Sequence, residues 1–275
     1  MNGSTIIKIF LYVVLIIILL GIMMLGLFNR EFTFNFGDYE KVELYNEIYS
    51  LEDVLELNVN MVSTDITIRN SEDENIRVII NGKEDRKDKY SISNDNKNLK
   101  IDEKAYSSFC FGFCFYSDEV IVYLPKSFNN NINIKGTSSD VNIMDSYDSK
   151  MDIHTVSGEI KVQDANDIVV KTTSGDIDIN DALNVEVKTT SGEVKVGKTG
   201  NVNISTISGD VTIDDLNVDG ESFIGTTSGE VLVSKVNDVY VETKSTSGDS
   251  NIGSSNRNSG NTLKIKTTSG DIIVK

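Results

Sequence analysis

The 275 residues carry a formal charge of −16, with a single histidine, a single proline, no tryptophan and 20 glycines. A chain this acidic, its lysines scattered singly among carboxylates, lacks the basic stripe that grips a phosphate backbone, so no nucleic-acid partner is expected. A lone histidine also removes Ser–His and Cys–His nucleophile pairs and any histidine-rich metal centre.

The first predicted element is an anchor. Ile9–Phe28, "IFLYVVLIIILLGIMMLGLF", is a run of 20 uncharged residues. As a helix rising ~1.5 Å per residue it spans ~30 Å, the thickness of a bilayer core. A cleaved signal peptide has an apolar core of roughly 7–15 residues and a small-x-small exit. The exit here, "LGLFNREF", has no such site, and no cysteine follows the run for lipid attachment. Residues 1–30 are therefore expected to form an uncleaved single-pass transmembrane helix. Lys8 and Arg30 nearly balance across the span, and the large acidic part is expected on the extracytoplasmic side of the cell membrane.

Residues 31–46 read as a spacer, with Val42–Leu51 open to a short helix. Residues 47–128 hold "VLELNV", "TDITIRN", "IRVIIN", "YSIS", "NLKIDE" and "EVIVYLP". Each alternates apolar with polar residues, the pattern of half-buried strands, here irregularly spaced. Between the last two lies "SSFCFGFCFYSD" (Ser107–Asp118), expected as a hairpin tip. There Phe109, Phe111, Phe113 and Phe115 alternate with Cys110, Gly112 and Cys114. In an extended strand the two cysteine Cα atoms would be about 13 Å apart, beyond the ~7 Å limit of a disulfide. A turn at Gly112 brings them within reach. Outside the membrane a Cys110–Cys114 bridge is favoured over free thiols, and over a metal site for want of other soft ligands. The four phenylalanines fit two roles: a lid over the first coil, or an exposed contact for lipid or a partner.

From residue 129 to 275 a repeat takes over. Eight copies align on Ser139, Gly158, Gly175, Gly192, Gly209, Gly229, Gly248 and Gly270, at intervals of 17 to 22 residues. Serine precedes every centre and an acid follows it: Asp140, Glu159, Asp176, Glu193, Asp210, Glu230, Asp249 and Asp271. Val or Ile stands two and four positions after each centre, with Ser250 the sole exception. In "VEVKTTSG" the residues Val185, Val187, Thr189 and Ser191 share one face, whereas the apolar residues after Gly192 have switched parity. A strand changes face only at a kink or an extra residue, so each glycine marks a corner, and glycine suits it because it tolerates φ > 0. One unit is too small to bury its own apolar side, and stacking the units makes ladders of Ile and Val about 4.8 Å apart. The expected fold is all-β, a β-solenoid of 17–22 residue coils. A β-propeller would need a Trp-Asp or Gly-His signature, and a leucine-rich repeat a Leu/Asn frame; neither is present.

These features together resemble a known family. The anchor, the "VIVYLP" strand entering a divergent first coil, and the serial T-[TVI]-S-G-[DE]-[IV]-x-[IV] look like a bacterial adhesin-like domain family of unknown function. That domain also occurs in Lia-type envelope-stress proteins of Gram-positive bacteria. The resemblance covers about Glu47 to Lys275 and implies a surface-exposed solenoid with an adhesin or stress-sensing role. The Cys/Phe insert is outside the family pattern.

The repeated acids form a column along one edge. Calcium would relieve their repulsion, but the G-G-x-G-x-D nonapeptide of calcium-binding repeats is absent. A second column, Lys135, His154, Lys171, Lys188, Lys244 and Lys266, lies four positions before the centres and is expected to offset the charge. His154 reads as a surface member of that column. Two carboxylates suffice for a glycosidase, yet a periodic set of acids is not the unique pair a cleft requires. The expectation is a membrane-anchored contact protein without catalytic residues, cofactor or metal. Its expected partners are the membrane and a cell-wall polymer or another envelope protein. A stress regulator on the same scaffold would need a separate membrane partner, because few residues precede the span. A carbohydrate-active enzyme is the remaining alternative.

Overall fold

Alternation of β-branched and polar residues produces strands through most of the described residues. The structure, a computed structural model, describes residues 41–105 and 117–275 together with Ile16. The N-terminal part holds β1 (Val42–Ser50), β2 (Glu56–Met61), β3 (Asp65–Asn70), β4 (Asn75–Gly82), β5 (Tyr90–Asp95), β6 (Asn98–Glu103) and β7 (Glu119–Leu124). Then come β8 (Asn131–Gly136), β9 (Val141–His154), β10 (Ile160–Lys171), β11 (Ile177–Lys188), β12 (Val194–Ser205), β13 (Val211–Leu216) and β14 (Glu221–Gly225). The chain finishes with β15 (Val231–Val233), β16 (Tyr240–Ser247), β17 (Ser250–Ile252), β18 (Thr262–Ser269) and β19 (Ile272–Val274).

The long middle strands stack in parallel, one coil above the next. Ile177 of β11 lies between Ile160 and Val194, and Val187 between Val170 and Ile204. Within a coil the buried positions are Ile177, Ile179, Ala182, Val185 and Val187. The parity breaks on either side of Ala182 give each coil a short third side between its two main ones. Each fully buried Val or Ile contributes roughly 1.5–3 kcal/mol relative to exposure. The ladders therefore hold the stack together, although no single coil could.

Two sequence expectations need correction. Val42–Ser50, part of which falls in the expected spacer, is a strand paired antiparallel with β4 and not a helix. Residue 128 divides nothing, because β2 and β3 already make a coil, stacked in parallel on β8 and on the start of β9. Below that coil lie β6 and β7, parallel to β2 and β3 in turn. Only β5, β4 and β1 run antiparallel, closing this end of the stack.

At the other end the coils do not stack in chain order. β14 and β15 pair with β18 and β19, and these pair with β16 and β17. The last coil in sequence is thus the last but one in space, and residues 240–252 form the terminal layer. Burial explains the exchange. Leu263, Ile265, Ile272 and Val274 of the inserted coil are all 1% exposed or less. The terminal coil offers Thr243 and Ser250 at the matching positions, so the less apolar coil takes the layer with one open side.

Candidate functional site

The repeated phrase builds a ladder of corners. All seven glycines, Gly158, Gly175, Gly192, Gly209, Gly229, Gly248 and Gly270, have positive φ, Gly192 at 121°. A second constraint is as strong. A Cβ on Gly192 would lie 2.1 Å from the carbonyl oxygen of Gly175, the same corner one coil below. The serines before the glycines form parallel bridges from coil to coil, ending Ser208, Ser228, Ser269. The threonines three residues before six of the centres are buried; Thr155 donates to Thr172 Oγ1 at 2.9 Å, and Thr189 to the Ser191 carbonyl at 2.9 Å.

The acids of the column divide by length. Asp140, Asp176, Asp210 and Asp271 each accept the backbone N–H of the acidic residue in the next layer, Glu159, Glu193, Glu230 and Asp249, at 2.8–2.9 Å. The glutamates reach outward instead, Glu159 to Lys161 at 2.8 Å and Glu193 to Lys195 at 3.0 Å. Charge is offset between residues i and i+2, which share a strand face, and not by the lysine column beyond the corner. Lys188 of that column pairs with Glu186 at 2.6 Å, and His154 with Asp152 at 2.8 Å. No group of three or more His, Cys, Asp or Glu among the described residues is arranged to hold a metal ion.

One corner is unlike the rest. Ser63-Thr64-Asp65-Ile66 and Ser117-Asp118-Glu119-Val120 stand in register with the repeated phrase, since Asp65 pairs with Glu119 and Asp140 donates its N–H to Asp65. In the lower of these coils the corner is expanded into the segment carrying the Cys/Phe insert. β6 and β7 pair with other strands and not with each other, so they are two sides of one coil; residues 107–116 of the segment expected as a hairpin tip lie outside the described residues. Three N–H groups of the corner above are served by a side chain in place of backbone carbonyls. Glu103 replaces them: its Oε2 accepts the N–H groups of Val62, Ser63 and Thr64 at 2.7, 2.9 and 3.1 Å.

A charged cluster surrounds this carboxylate. Lys89 Nζ lies 2.7 Å from Glu103 and 3.9 Å from Asp118, and Arg86 lies 2.8 Å from Asp118. Tyr90 donates to Asp118 at 2.6 Å and is 2.8 Å from Thr64 Oγ1. Lys89, Glu103 and Asp118 are all buried. Burial raises the pKa of Glu103, but the Lys89 ammonium and the Ser63 and Val62 N–H groups outweigh it and hold the carboxyl at about 2. Burial and the neighbouring Asp118 push the Tyr90 phenol far above its ordinary range. Gly82 makes room for this cluster, since a Cβ there would meet Asp118 at 2.9 Å. None of these residues was singled out from sequence; the available signal was the lysine and acids of "EDRKDKY" and "IDEK" on either side of two strands.

The predicted disulfide of Cys110 and Cys114, and the aromatic set Phe109, Phe111, Phe113 and Phe115, lie outside the described residues. So does the predicted anchor, residues 1–30, apart from Ile16. Among the described residues no helix is long and apolar enough to cross a membrane.

This architecture has relatives. A structure from Parabacteroides distasonis, provisionally named a lipid-binding protein, is 17% identical, covers 87% of this chain and 98% of its own, and has a TM-score of 0.53. One from Parabacteroides merdae, provisionally named an adhesin, is 15% identical with coverage of 87% and 98% and a TM-score of 0.42. One from Clostridium sporogenes, provisionally named a cell adhesion protein, is 15% identical with coverage of 86% and 99% and a TM-score of 0.30. At such identities the likeness concerns fold alone. Among curated proteins none matches significantly. The Toastrack DUF4097 family model matches residues 54–275, from the capped coil through the inserted one, and the chain belongs to that family.

Proposed function

We propose that the chain is a non-enzymatic, membrane-anchored, extracytoplasmic β-solenoid that acts by contact with an envelope component, in the manner of an adhesin. One observation carries this reading: the repeated acids are taken up within the scaffold and leave no reactive pair. Aspartates cap the N–H groups of the next layer, and glutamates pair with lysines on their own strand. Stacked coils of this kind offer outward strand faces for contact with a partner. Ile9–Phe28 supplies the anchor.

Two measurements test it. Protease added to intact protoplasts should digest the chain beyond Arg30; full protection reverses the topology and removes the extracytoplasmic reading. Detergent-solubilised full-length protein should co-sediment with isolated cell envelopes, and failure to do so removes the contact reading.

A further inference from the structure

One cross-strand row on the outward side of the first layers differs from the Asn, Ser and acid that coat the rest. Arg69 on β3 pairs with Tyr123 on β7, Tyr123 with Arg77 on β4, and Arg77 with Ile48 on β1. At the other end Arg69 reaches Met144 of β9, Nη2 to Sδ 2.9 Å. Across five strands the row reads Ile–Arg–Tyr–Arg–Met. It gathers two of the five arginines of a chain whose net charge is −16. Ile48 and Met144 at its ends are 62% and 46% exposed.

The two guanidinium groups are under-used. Neither forms an ion pair among the described residues, whereas Arg86 is paired with Asp118 at 2.8 Å. Arg77 donates Nε to the Asn46 side chain at 2.8 Å, which leaves its two terminal nitrogens facing outward. Arg69 has a thioether for its one acceptor, and its Nε is shut from solvent with no partner. The side-chain oxygen of Asn70 beside it is in the same state. Buried polar atoms are ordinarily satisfied, so this end of the row is under-bonded within the protein. The row borders a cleft of about 540 Å³ that extends to the turn at residues 71–75.

The chemistry of the lining narrows the ligand. Two guanidinium groups two strands apart, roughly 10 Å between their backbones, favour a carboxylate or a phosphate, which they bind by forked hydrogen bonds. The tyrosine ring between them and the exposed Ile48 offer an apolar floor for the C–H face of a sugar. Three acids are near. Asp145 is committed to the Asn70 N–H at 2.8 Å, and Asp73 to the Asn75 N–H at 2.8 Å and to Ser71. Glu72 and Asp73 at the rim accept hydroxyl groups and repel a bare polyanion. We propose that Arg69, Tyr123 and Arg77 form a binding site for an acidic saccharide, a sugar ring bearing a carboxylate or a phosphate. It rests on the contact reading above and gives that contact a chemical class.

The test uses detergent-solubilised full-length protein and saturation-transfer NMR with calorimetry. The probes are a glucuronate-containing tetrasaccharide, its carboxyl-reduced neutral form, a glycosylated glycerol-phosphate oligomer, and inorganic phosphate. At least one acidic sugar should bind, more weakly as salt is added, and the neutral form should not. Arg77→Gln, at an exposed site, should weaken binding about tenfold or more without moving the melting temperature, and Tyr123→Leu several-fold. Three results overturn the site: no acidic sugar binds, inorganic phosphate binds as well as the sugars, or Arg77→Gln binds like the wild type. If those results appear while the protein still sediments with envelopes, the site falls and the contact reading stands.

Discussion

At Gly192 the chain turns against an identical turn; at Ser63 it turns against a carboxylate. The first corner rests on the Gly175 carbonyl and needs nothing beyond its own repeat, with Ser191 N–H bonded to the Thr173 carbonyl at 3.0 Å. At the second, one glutamate bonds three of the N–H groups. A repeat distributes its stability over many equivalent contacts. An interruption of the repeat concentrates it in a few unique ones, here a buried ion cluster that tolerates no missing member. The comparison teaches where the molecule is vulnerable.

It breaks first at Glu103. Glu103→Ala strands Lys89 in a buried site and leaves three N–H groups without an acceptor, and should cost about 3–5 kcal/mol by urea unfolding. A loss under 1 kcal/mol would show that the cluster is not what closes this corner. The same group sets a pH dependence. Its folded pKa of about 2 lies below the reference 4.5, so its contribution is complete above pH 4.5. That contribution, roughly 3 kcal/mol, is lost as pH falls from 4.5 toward 2. In Glu103→Ala this part of the acid limb should vanish, and an unchanged limb assigns the acid sensitivity elsewhere.

Gly192→Ala comes next. Positive φ and a 2.1 Å approach to the Gly175 carbonyl act together, and the expected loss is about 2–4 kcal/mol. If alanine is tolerated, the corner ladder is not a backbone constraint. Asp176→Ala removes only the acceptor of the Glu193 N–H, an exposed hydrogen bond, and should cost about 1 kcal/mol. Glu193→Gln removes an exposed pair with Lys195 and should fall within about 0.5 kcal/mol of the wild type. Thermal melts in which Glu193→Gln lost more than Asp176→Ala would sink the division of labour between long and short acids.

That division was written in the sequence and unreadable there. The column runs Asp140, Glu159, Asp176, Glu193, Asp210, Glu230, yet alternation of two acids has no meaning until one knows that an Asp carboxylate reaches the next layer and a Glu overshoots it. The corners were legible because a change of apolar parity at a glycine has few geometric solutions. The two early copies, at Ser63 and Ser117, were not: like the copy at Ser139 they lack glycine at the centre, where Thr64 and Asp118 stand, and the irregular strands between them break the repeat period. The exchanged order of the last coils left one sign, Ser250, which broke the apolar column and belongs to the layer with an open side. The charged cluster and the Arg–Tyr–Arg row were invisible, since their members come from strands far apart in the chain and meet through pairings that local pattern does not specify.

The inserted coil also bears on how the chain is made. Along most of the stack each new coil leaving the ribosome meets a finished neighbour, so folding can follow synthesis from the N-terminus. That correspondence stops at β15. When residues 240–252 emerge, the layer they will rest on does not yet exist, and their only paired neighbours, Thr262–Val274, are still to be translated. The nascent chain must keep this stretch waiting, then close both layers in one event as β18 and β19 slide between β14–β15 and β16–β17. Termination of translation before residue 262 would therefore remove two layers of the stack and not one.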